Sequence, residues 1–266
     1  MSNRINSKFK ELKQKRKKAF IAFITAGDPD LKTTEELVYA FEQSGVDIIE
    51  LGVPFSDPLA DGTTIQAASE RALKGRVNLK KILKTLRSIR ARSSVPIALM
   101  TYYNPVFHFG EEKFCRDAKS AGVDGLIVPD LPPEEAQHLM RIAKKNHLAT
   151  IFFIAPTTTK LRMKKIARVS TGFIYYVSLT GVTGARNKLS LAGIENIKLA
   201  RNLTDKPICV GFGVSTPAQV KAIASLADGV IVGSAIVKRI EQNSGQSNLV
   251  ENVTGFVAAL VKAVKS

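Results

Sequence analysis

The chain has 266 residues, 45% of them hydrophobic and 23% charged, which is ordinary for one large globular domain. No apolar stretch reaches the ~20 residues of a membrane span, and the first residues lack the apolar core of a secretory signal, so we expect a cytoplasmic protein with a single domain, residues 1–266. The formal net charge of +16 is unusual, because such an excess can attract nucleic acid, anionic membranes, anionic substrates or acidic partners.

The basic residues are spread along the chain rather than gathered in one strip. They fall in the segments 8–18, 74–92, 141–145 and 160–168. The first segment predicts a helix before the first strand. In the second segment, apolar residues recur at helical spacing, at Leu79, Ile82, Leu83, Leu86 and Ile89. This pattern is typical of an amphipathic helix with a solvated basic face, so we expect neither nucleic-acid binding nor membrane binding.

Eight short apolar runs, rich in Ile, Val or Phe, predict the strands. They occupy residues 20–24, 48–51, 97–100, 125–128, 150–154, 173–177, 208–211 and 229–232. The runs have almost no polar alternation, which is typical of parallel strands that are buried on both faces.

Helix signals lie between these runs. Thr33 and Glu36 match a capping box, and Pro132 and Pro133 predict the start of another helix. Thr216 followed by Pro217 predicts an N-cap and a first-turn proline. Regular apolar spacing predicts the last helix, with Leu249, Val250, Val253, Phe256, Val257, Leu260, Val261 and Val264 on one face.

Eight buried strands that alternate with helices predict a (β/α)8 TIM barrel with an extra N-terminal helix. A doubly wound open sheet is the rival fold. It would carry a GxGxxG fingerprint after its first strand, and residues 25–29 do not match that pattern.

Two acidic residues lie near the two ends of the segment 50–62. Glu50 ends an apolar strand, where a charge is costly to desolvate, and Asp61 lies in a loop rich in glycine and proline. Carboxyl groups in such different surroundings are candidates for divided acid and base roles. Taken alone, Glu50 is equally consistent with a structural partner for a loop amide or a lysine.

Glycines follow three consecutive strands. Gly181 and Gly184 follow the sixth, Gly211 and Gly213 the seventh, and Gly233 the eighth, with Ser234 next to it. Glycines allow backbone N–H groups to approach phosphate oxygens, and barrels of this kind commonly bind phosphate after strands seven and eight. We therefore expect a ligand that carries phosphate.

Metal ligation is not expected. Cys115 and Cys209 are isolated, and His108, His138 and His147 lack the spacing of metal ligands.

The sequence resembles the tryptophan synthase alpha chain family over essentially its whole length. The resemblance depends on residues 23–29, 50–62, 102–105, 130–135, 181–184 and 211–213, of which the segment 50–62 is the most specific. It implies a lyase that cleaves indole-3-glycerol phosphate to indole and glyceraldehyde 3-phosphate by a retro-aldol reaction. It also implies an α2β2 assembly, in which the β subunit carries pyridoxal phosphate and makes tryptophan from indole, and no cofactor in this chain.

The resemblance also implies roles for individual residues. Glu50 would perform the acid and base steps, so we expect its apolar setting to raise its pKa. Asp61 would bind the indole N–H and remain ionised. Thr183, in the loop after the sixth strand, would close over the substrate and hydrogen-bond Asp61. The remaining implied residues form three groups, for the indole ring (Phe23, Tyr102, Ile127, Tyr175), for the phosphate (Gly184, Phe212, Gly213, Gly233, Ser234) and for the β subunit (Asp57, Pro58, Asn104, Pro105).

Two positions depart from the family pattern. Thr63 stands where proline is common, and Leu179 stands where arginine is frequent. Asp130, at the end of the fourth strand, is a possible third acid, but its setting before Leu131 and Pro132 favours a structural role.

Two other functions remain open from the residues alone. Another phosphate-binding TIM-barrel lyase or isomerase would keep the glycines but would not need the segment 50–62. A basic subunit without enzymatic activity would bind nucleic acid in a salt-dependent way and show no turnover.

Overall fold

The computed structural model describes residues 3–177, 191–211 and 213–266. The described strands all pair in parallel in one sheet, in the order β5-β4-β3-β2-β1-β9-β8-β7-β6. Their bounds are β1 Ala19–Thr25, β2 Ile48–Gly52, β3 Ile97–Met100, β4 Gly125–Ile127, β5 Ala149–Ile151, β6 Phe153–Ile154, β7 Ile174–Val177, β8 Ile208–Gly211 and β9 Gly229–Val232.

The predicted fifth strand is present as two pieces, β5 and β6, which are separated by Phe152. β5 pairs with β4, whereas β6 pairs with β7, and the Phe152 carbonyl accepts a hydrogen bond from the Tyr175 N–H at 3.0 Å. The segment therefore leaves one neighbour and joins the other, which closes the sheet into a barrel with eight strand positions. The TIM barrel prediction is confirmed, and the open-sheet rival is wrong.

Helices alternate with the strands along the described chain. Their bounds are α1 Arg4–Gln14, α2 Leu31–Gln43, α3 Thr63–Lys74, α4 Leu79–Arg90, α5 Tyr103–Phe109, α6 Glu111–Ser120, α7 Gln137–Lys145, α8 Lys160–Val169, α9 Leu191–Arg201, α10 Pro217–Ala224, α11 Ser234–Gln242 and α12 Leu249–Lys265. Among the residues described, no helix is both long enough and apolar enough to cross a membrane.

Two predicted helix starts are wrong. The α2 helix begins at Leu31 because the Asp30 side chain accepts a hydrogen bond from the Thr33 N–H, so Asp30 is the N-cap rather than Thr33. The two prolines at 132 and 133 begin a turn, and α7 itself starts at Gln137. The predicted Thr216 cap of α10 is confirmed as a capping box with Gln219.

Alternate residues of the strands face two separate cores. One set, which includes Ile21, Ile48 and Ile127, fills the inside of the barrel, whereas the other set packs against the helices. The predicted N-terminal helix, α1, is confirmed, and its Ile5, Phe9 and Leu12 join the interior set. α1 therefore covers the barrel at the amino ends of the strands.

Three aspartates stabilise that amino end. Each precedes a strand and accepts a hydrogen bond from the N–H of a residue in the neighbouring strand, with Asp47 bound to Phe20, Asp124 to Ile97 and Asp228 to Ile208. Each also forms ion pairs, with Lys265 for Asp47, with Arg4 and Arg90 for Asp124, and with Lys18 and Arg201 for Asp228.

Candidate functional site

Glu50 points into the barrel near the carboxyl ends of the strands. Alternation along β2 turns Ile48 and Glu50 inward and Ile49 outward. Glu50 is 0% exposed, and neither oxygen of its carboxyl group has a hydrogen-bond partner among the described residues. Burial, and secondly the charge of Asp61, raise the pKa of Glu50 to about 8, so the carboxyl group is protonated at neutral pH. The predicted direction is confirmed.

Asp61 lies in the loop between β2 and α3. Its N–H donates to the Pro58 carbonyl at 3.0 Å, and its own carbonyl accepts from the Gln66 side chain at 2.9 Å. Partial burial raises the pKa of Asp61 to about 6, and interaction with the Tyr102 hydroxyl opposes that rise. Asp61 is therefore about 90% ionised at pH 7, which agrees with the prediction of a carboxylate anion.

The two acids thus hold opposite protonation states at neutral pH. Asp61 releases its proton first, and its charge then opposes ionisation of Glu50. A proton donor beside a fixed anion can perform proton transfer to a substrate whose positive charge the anion stabilises.

A small cavity connects Asp61 with the apolar part of the site. The lining residues are Phe23, Thr25, Gly52, Val53, Asp61, Ile65, Ser69, Met100 and Tyr102. The ring of Phe23 lies directly over Gly52, where a Cβ atom would be 2.7 Å from the Phe23 Cζ. Any larger residue at position 52 would collide with the Phe23 ring, so glycine is needed there.

Tyr175 and Ile127 complete the apolar surroundings of Glu50. The Tyr175 ring packs on Phe153, with centroids 4.9 Å apart, and lies over Gly211. Burial, and then the charge of Glu50, raise the pKa of Tyr175. Ile127 is fully buried in the interior cluster against which Phe153 and Tyr175 pack. The structure therefore brings Phe23, Tyr102, Ile127 and Tyr175 to the same end of the barrel as the two acids.

The described part of the predicted phosphate site lies beyond β8 and β9. These strands pair in parallel, with Gly211 opposite Ile231, so their ends are adjacent. Gly233 is the N-cap of α11, and the exposed Ser234 is its first residue, where helix N–H groups have no partner within the helix. A Cβ atom on Gly233 would be 3.4 Å from the Phe23 side chain, which places this helix start beside the apolar pocket. Gly213, after β8, is exposed.

Several predicted positions lie outside the described residues. These are Thr183, Gly184, Phe212 and Leu179. Thr63, the other departure from the family pattern, is the first residue of α3, directly after the Gly62 N-cap. Proline is favoured at that position of a helix, which accounts for the family preference in physical terms.

The residues predicted to contact a β subunit lie on two neighbouring elements. Asp57 and Pro58 belong to the loop 53–62, in which Leu59 is 94% exposed. Asn104 and Pro105 lie in the first turn of α5. The Asp130 carboxylate accepts from the N–H of Tyr103, the first residue of α5, at 2.9 and 3.1 Å, which agrees with the predicted structural role of Asp130.

Sequence reasoning missed Thr25. Its side chain is buried at the end of β1, lines the cavity with Asp61, and has no hydrogen-bond partner among the described residues. A polar residue directly after an apolar strand was the available signal. No group of three or more His, Cys, Asp and Glu residues in the described ranges could hold a metal ion.

Comparison with known proteins agrees with this geometry. The model of the family described as "Tryptophan synthase alpha chain" matches residues 9–265. The tryptophan synthase alpha chain of Geotalea daltonii is 51% identical over 257 residues, which cover 97% of each chain. That of Geobacter sulfurreducens is 50% identical over 262 residues, 98% of this chain and 99% of the relative. The crystal structure of tryptophan synthase subunit alpha from Legionella pneumophila is 37% identical, with a TM-score of 0.91 and 99% of each chain covered.

Proposed function

Because this chain belongs to the tryptophan synthase alpha chain family, and is therefore a lyase that cleaves indole-3-glycerol phosphate, we propose that Glu50 and Asp61 carry out the cleavage. The reaction breaks the bond between indole C3 and the side-chain carbon next to it. A proton must reach C3, and the hydroxyl on the neighbouring carbon must lose one as it becomes the aldehyde. The products are indole and glyceraldehyde 3-phosphate.

The observation that carries this proposal is the pair of unlike carboxyl groups at one end of the barrel. Glu50 is protonated at neutral pH, so it is ready to donate to C3 as a general acid. The carboxylate that remains can then accept the hydroxyl proton. Because both proton transfers occur at one group, the cleavage returns Glu50 to its starting state.

Asp61 has the complementary electrostatic role. Protonation at C3 places positive charge on the indole nitrogen, and the Asp61 carboxylate would accept a hydrogen bond from the indole N–H and stabilise that charge. Its partly buried position strengthens the interaction because there is less water to screen it.

The apolar residues around the acids would hold the indole ring. Phe23, Tyr102, Ile127 and Tyr175 offer aromatic and aliphatic surface at the end of the barrel where both acids lie. Thr183, from the segment after β7, would close over the substrate and hydrogen-bond Asp61.

The phosphate would bind at the start of α11. The free N–H groups and the dipole at this helix N-terminus favour an anion, and Ser234 adds a hydroxyl group. Gly213 would contribute from the loop after β8, together with Gly184 and Phe212. The position of Gly233 against Phe23 supports a ligand that spans from the ring pocket to the phosphate.

Tryptophan synthase alpha chains need no cofactor themselves, and pyridoxal phosphate belongs to the β subunit of the enzyme. We propose an α2β2 assembly of this chain in the cytoplasm, with indole passed to the β subunit. Asp57, Pro58, Asn104 and Pro105 would contact that subunit, and the chain would act as a single domain. The exposed Leu59 and Phe107, on the same two elements, support an interface there.

An indole-release assay with Asp61→Asn tests the proposal. We expect the variant to lose about 10²-fold or more in kcat, because the carboxylate anion is replaced by a neutral amide of the same shape. Asp57→Asn is the matched control, since it removes an exposed carboxylate from the same loop, and the isolated variant should keep wild-type turnover. Turnover within twofold of wild type for a folded Asp61→Asn would overturn the assignment.

A further inference from the structure

Tyr102 joins the loop that carries Asp61 to the start of α5. Its hydroxyl accepts a hydrogen bond from the backbone N–H of Ala60, the residue before Asp61, at 2.9 Å. Tyr102 and Asp61 also line the same small cavity, and the Tyr102 hydroxyl opposes the rise in the pKa of Asp61. The Tyr102 ring stacks on Phe55 near the beginning of the loop, with centroids 5.2 Å apart and planes inclined by 29°. One side chain therefore contacts both ends of this loop.

Tyr102 is itself held in a fixed position. It is 5% exposed and is the N-cap residue of α5. The N–H of the next residue, Tyr103, donates to both oxygens of the Asp130 carboxylate, at 2.9 and 3.1 Å. These contacts fix the backbone at Tyr102, so its hydroxyl presents a rigid anchor to the loop.

We propose that Tyr102 is a positioning residue for the cleavage, whose hydroxyl accepts from the Ala60 N–H and donates its own proton to the Asp61 carboxylate. The loop then presents Asp61 to the indole nitrogen as an oriented anion. This inference depends on the proposed function, because it requires Asp61 to be the carboxylate that acts on the substrate. It adds a polar role for Tyr102 to the ring contact expected from the family.

The surroundings of Asp61 explain why such a donor is needed. Glu50 from β2, Tyr175 from β7 and Tyr102 from the start of α5 face this carboxylate. Glu50 and Tyr175 can be only neutral or negatively charged, so neither can stabilise the Asp61 anion as a cation would. Burial raises the pKa of Asp61, and among the described residues the Tyr102 hydroxyl opposes this rise. The charge of Asp130 contributes to the raised pKa of Tyr102 and does not contribute to that of Asp61.

The test compares Tyr102→Phe with Tyr103→Phe. Both variants lose one phenolic hydroxyl, from neighbouring residues, and Tyr102→Phe keeps the ring that stacks on Phe55. For Tyr102→Phe, we expect the acid limb of kcat/KM for indole release to move up from near pH 6 by about 0.5–1 pH unit. At pH 6, where half of the wild-type Asp61 is ionised, this loses about 2- to 5-fold in rate, with little loss at pH 8. Tyr103→Phe should keep the wild-type profile.

A second measurement keeps the test valid if turnover of the variant is too low for a profile. ¹³C NMR titration of the Asp61 carboxyl group, in the substrate-free protein, should show the same upward shift in Tyr102→Phe. If the acid limb and the titration of Asp61 are both unchanged, Tyr102 has no positioning role. A rise in KM with an unchanged pH profile would limit the Tyr102 hydroxyl to substrate binding and would likewise overturn the positioning role.

These outcomes separate the two proposals. If Asp61→Asn retains turnover, the proposed function of Asp61 fails, and the inference on Tyr102 fails with it. If Asp61→Asn is inactive but Tyr102→Phe has the wild-type profile, only the inference on Tyr102 is overturned.

Discussion

The two ends of the barrel treat buried carboxyl groups in opposite ways. At the amino end, Asp124 is fully buried and bonds to the Ile97 N–H, Arg4 and Arg90. At the carboxyl end, Glu50 is equally buried, yet its carboxyl group has no hydrogen-bond partner among the described residues. The partners of a buried carboxylate offset the cost of its desolvation, whereas a buried acid without partners costs stability and stays available for a ligand. The contrast indicates that the amino end maintains the fold and the carboxyl end performs the chemistry.

The largest expected effect is on catalysis, from Glu50→Gln. The amide keeps the size of the side chain but cannot exchange a proton, so we expect indole release to fall by about 10²- to 10⁴-fold. Steady-state assays of the purified chain, with circular dichroism to verify folding, measure this. Glu36→Gln, an exposed change on α2, is the control. Near-normal turnover by folded Glu50→Gln would remove Glu50 from the mechanism.

A change at the amino end should reduce stability instead. Asp124→Ala leaves the Arg90 guanidinium and the Ile97 N–H without this partner, so we expect the free energy of unfolding to fall by about 3–5 kcal/mol. Urea denaturation measures the loss, and activity per folded molecule should stay at the wild-type value. In Asp117→Ala, where ion pairs at the surface are lost, the change should be at most about 1 kcal/mol. Equal losses in the two variants would contradict the distinction between a fully buried aspartate and a half-buried one in surface ion pairs.

The smallest expected effect is the pH dependence of the difference in stability between Glu50→Gln and the wild type. The pKa of Glu50 is raised from 4.5 to about 8 by folding, so its favourable contribution is complete below pH 4.5 and is lost as pH rises through 8. Gln does not titrate. Glu50→Gln should therefore gain stability over wild type between pH 5 and pH 9, by at least about 1.4 kcal/mol. Denaturation at both pH values tests this, and a constant difference would show that folding does not raise the pKa of Glu50.

The sequence predicted the barrel well because buried parallel strands leave a direct pattern. The runs at 97–100, 208–211 and 229–232 match the observed strands residue for residue. The break at Phe152 was not predictable, since a change of pairing partner leaves no local signal in the apolar run at 150–154. Helix α2 was misplaced because Asp30 competes as a cap with Thr33, and both residues are good caps.

The candidate site was predictable where chemistry restricts the residue type. A glutamate at the end of an apolar strand made Glu50 a candidate, and the resemblance to the family implied its role, before any contact was known. The partners of Asp61 were not predictable, because the approach of Tyr102 to Ala60 joins residues that are 42 positions apart. The amino-end aspartates were missed, although Val-Asp precedes both β2 and β4 in the sequence.

The interruption at Phe152 has a mechanical consequence for the whole cylinder. Because β5 and β6 are consecutive pieces of one segment, the two margins of the sheet are tied by covalent bonds and not only by a ladder of hydrogen bonds. The register between the first and the last strand of the sheet order cannot shift by a residue unless the backbone at Phe152 moves as well. The stagger of the strands, which sets the diameter of a closed sheet, is thus pinned at a single peptide unit.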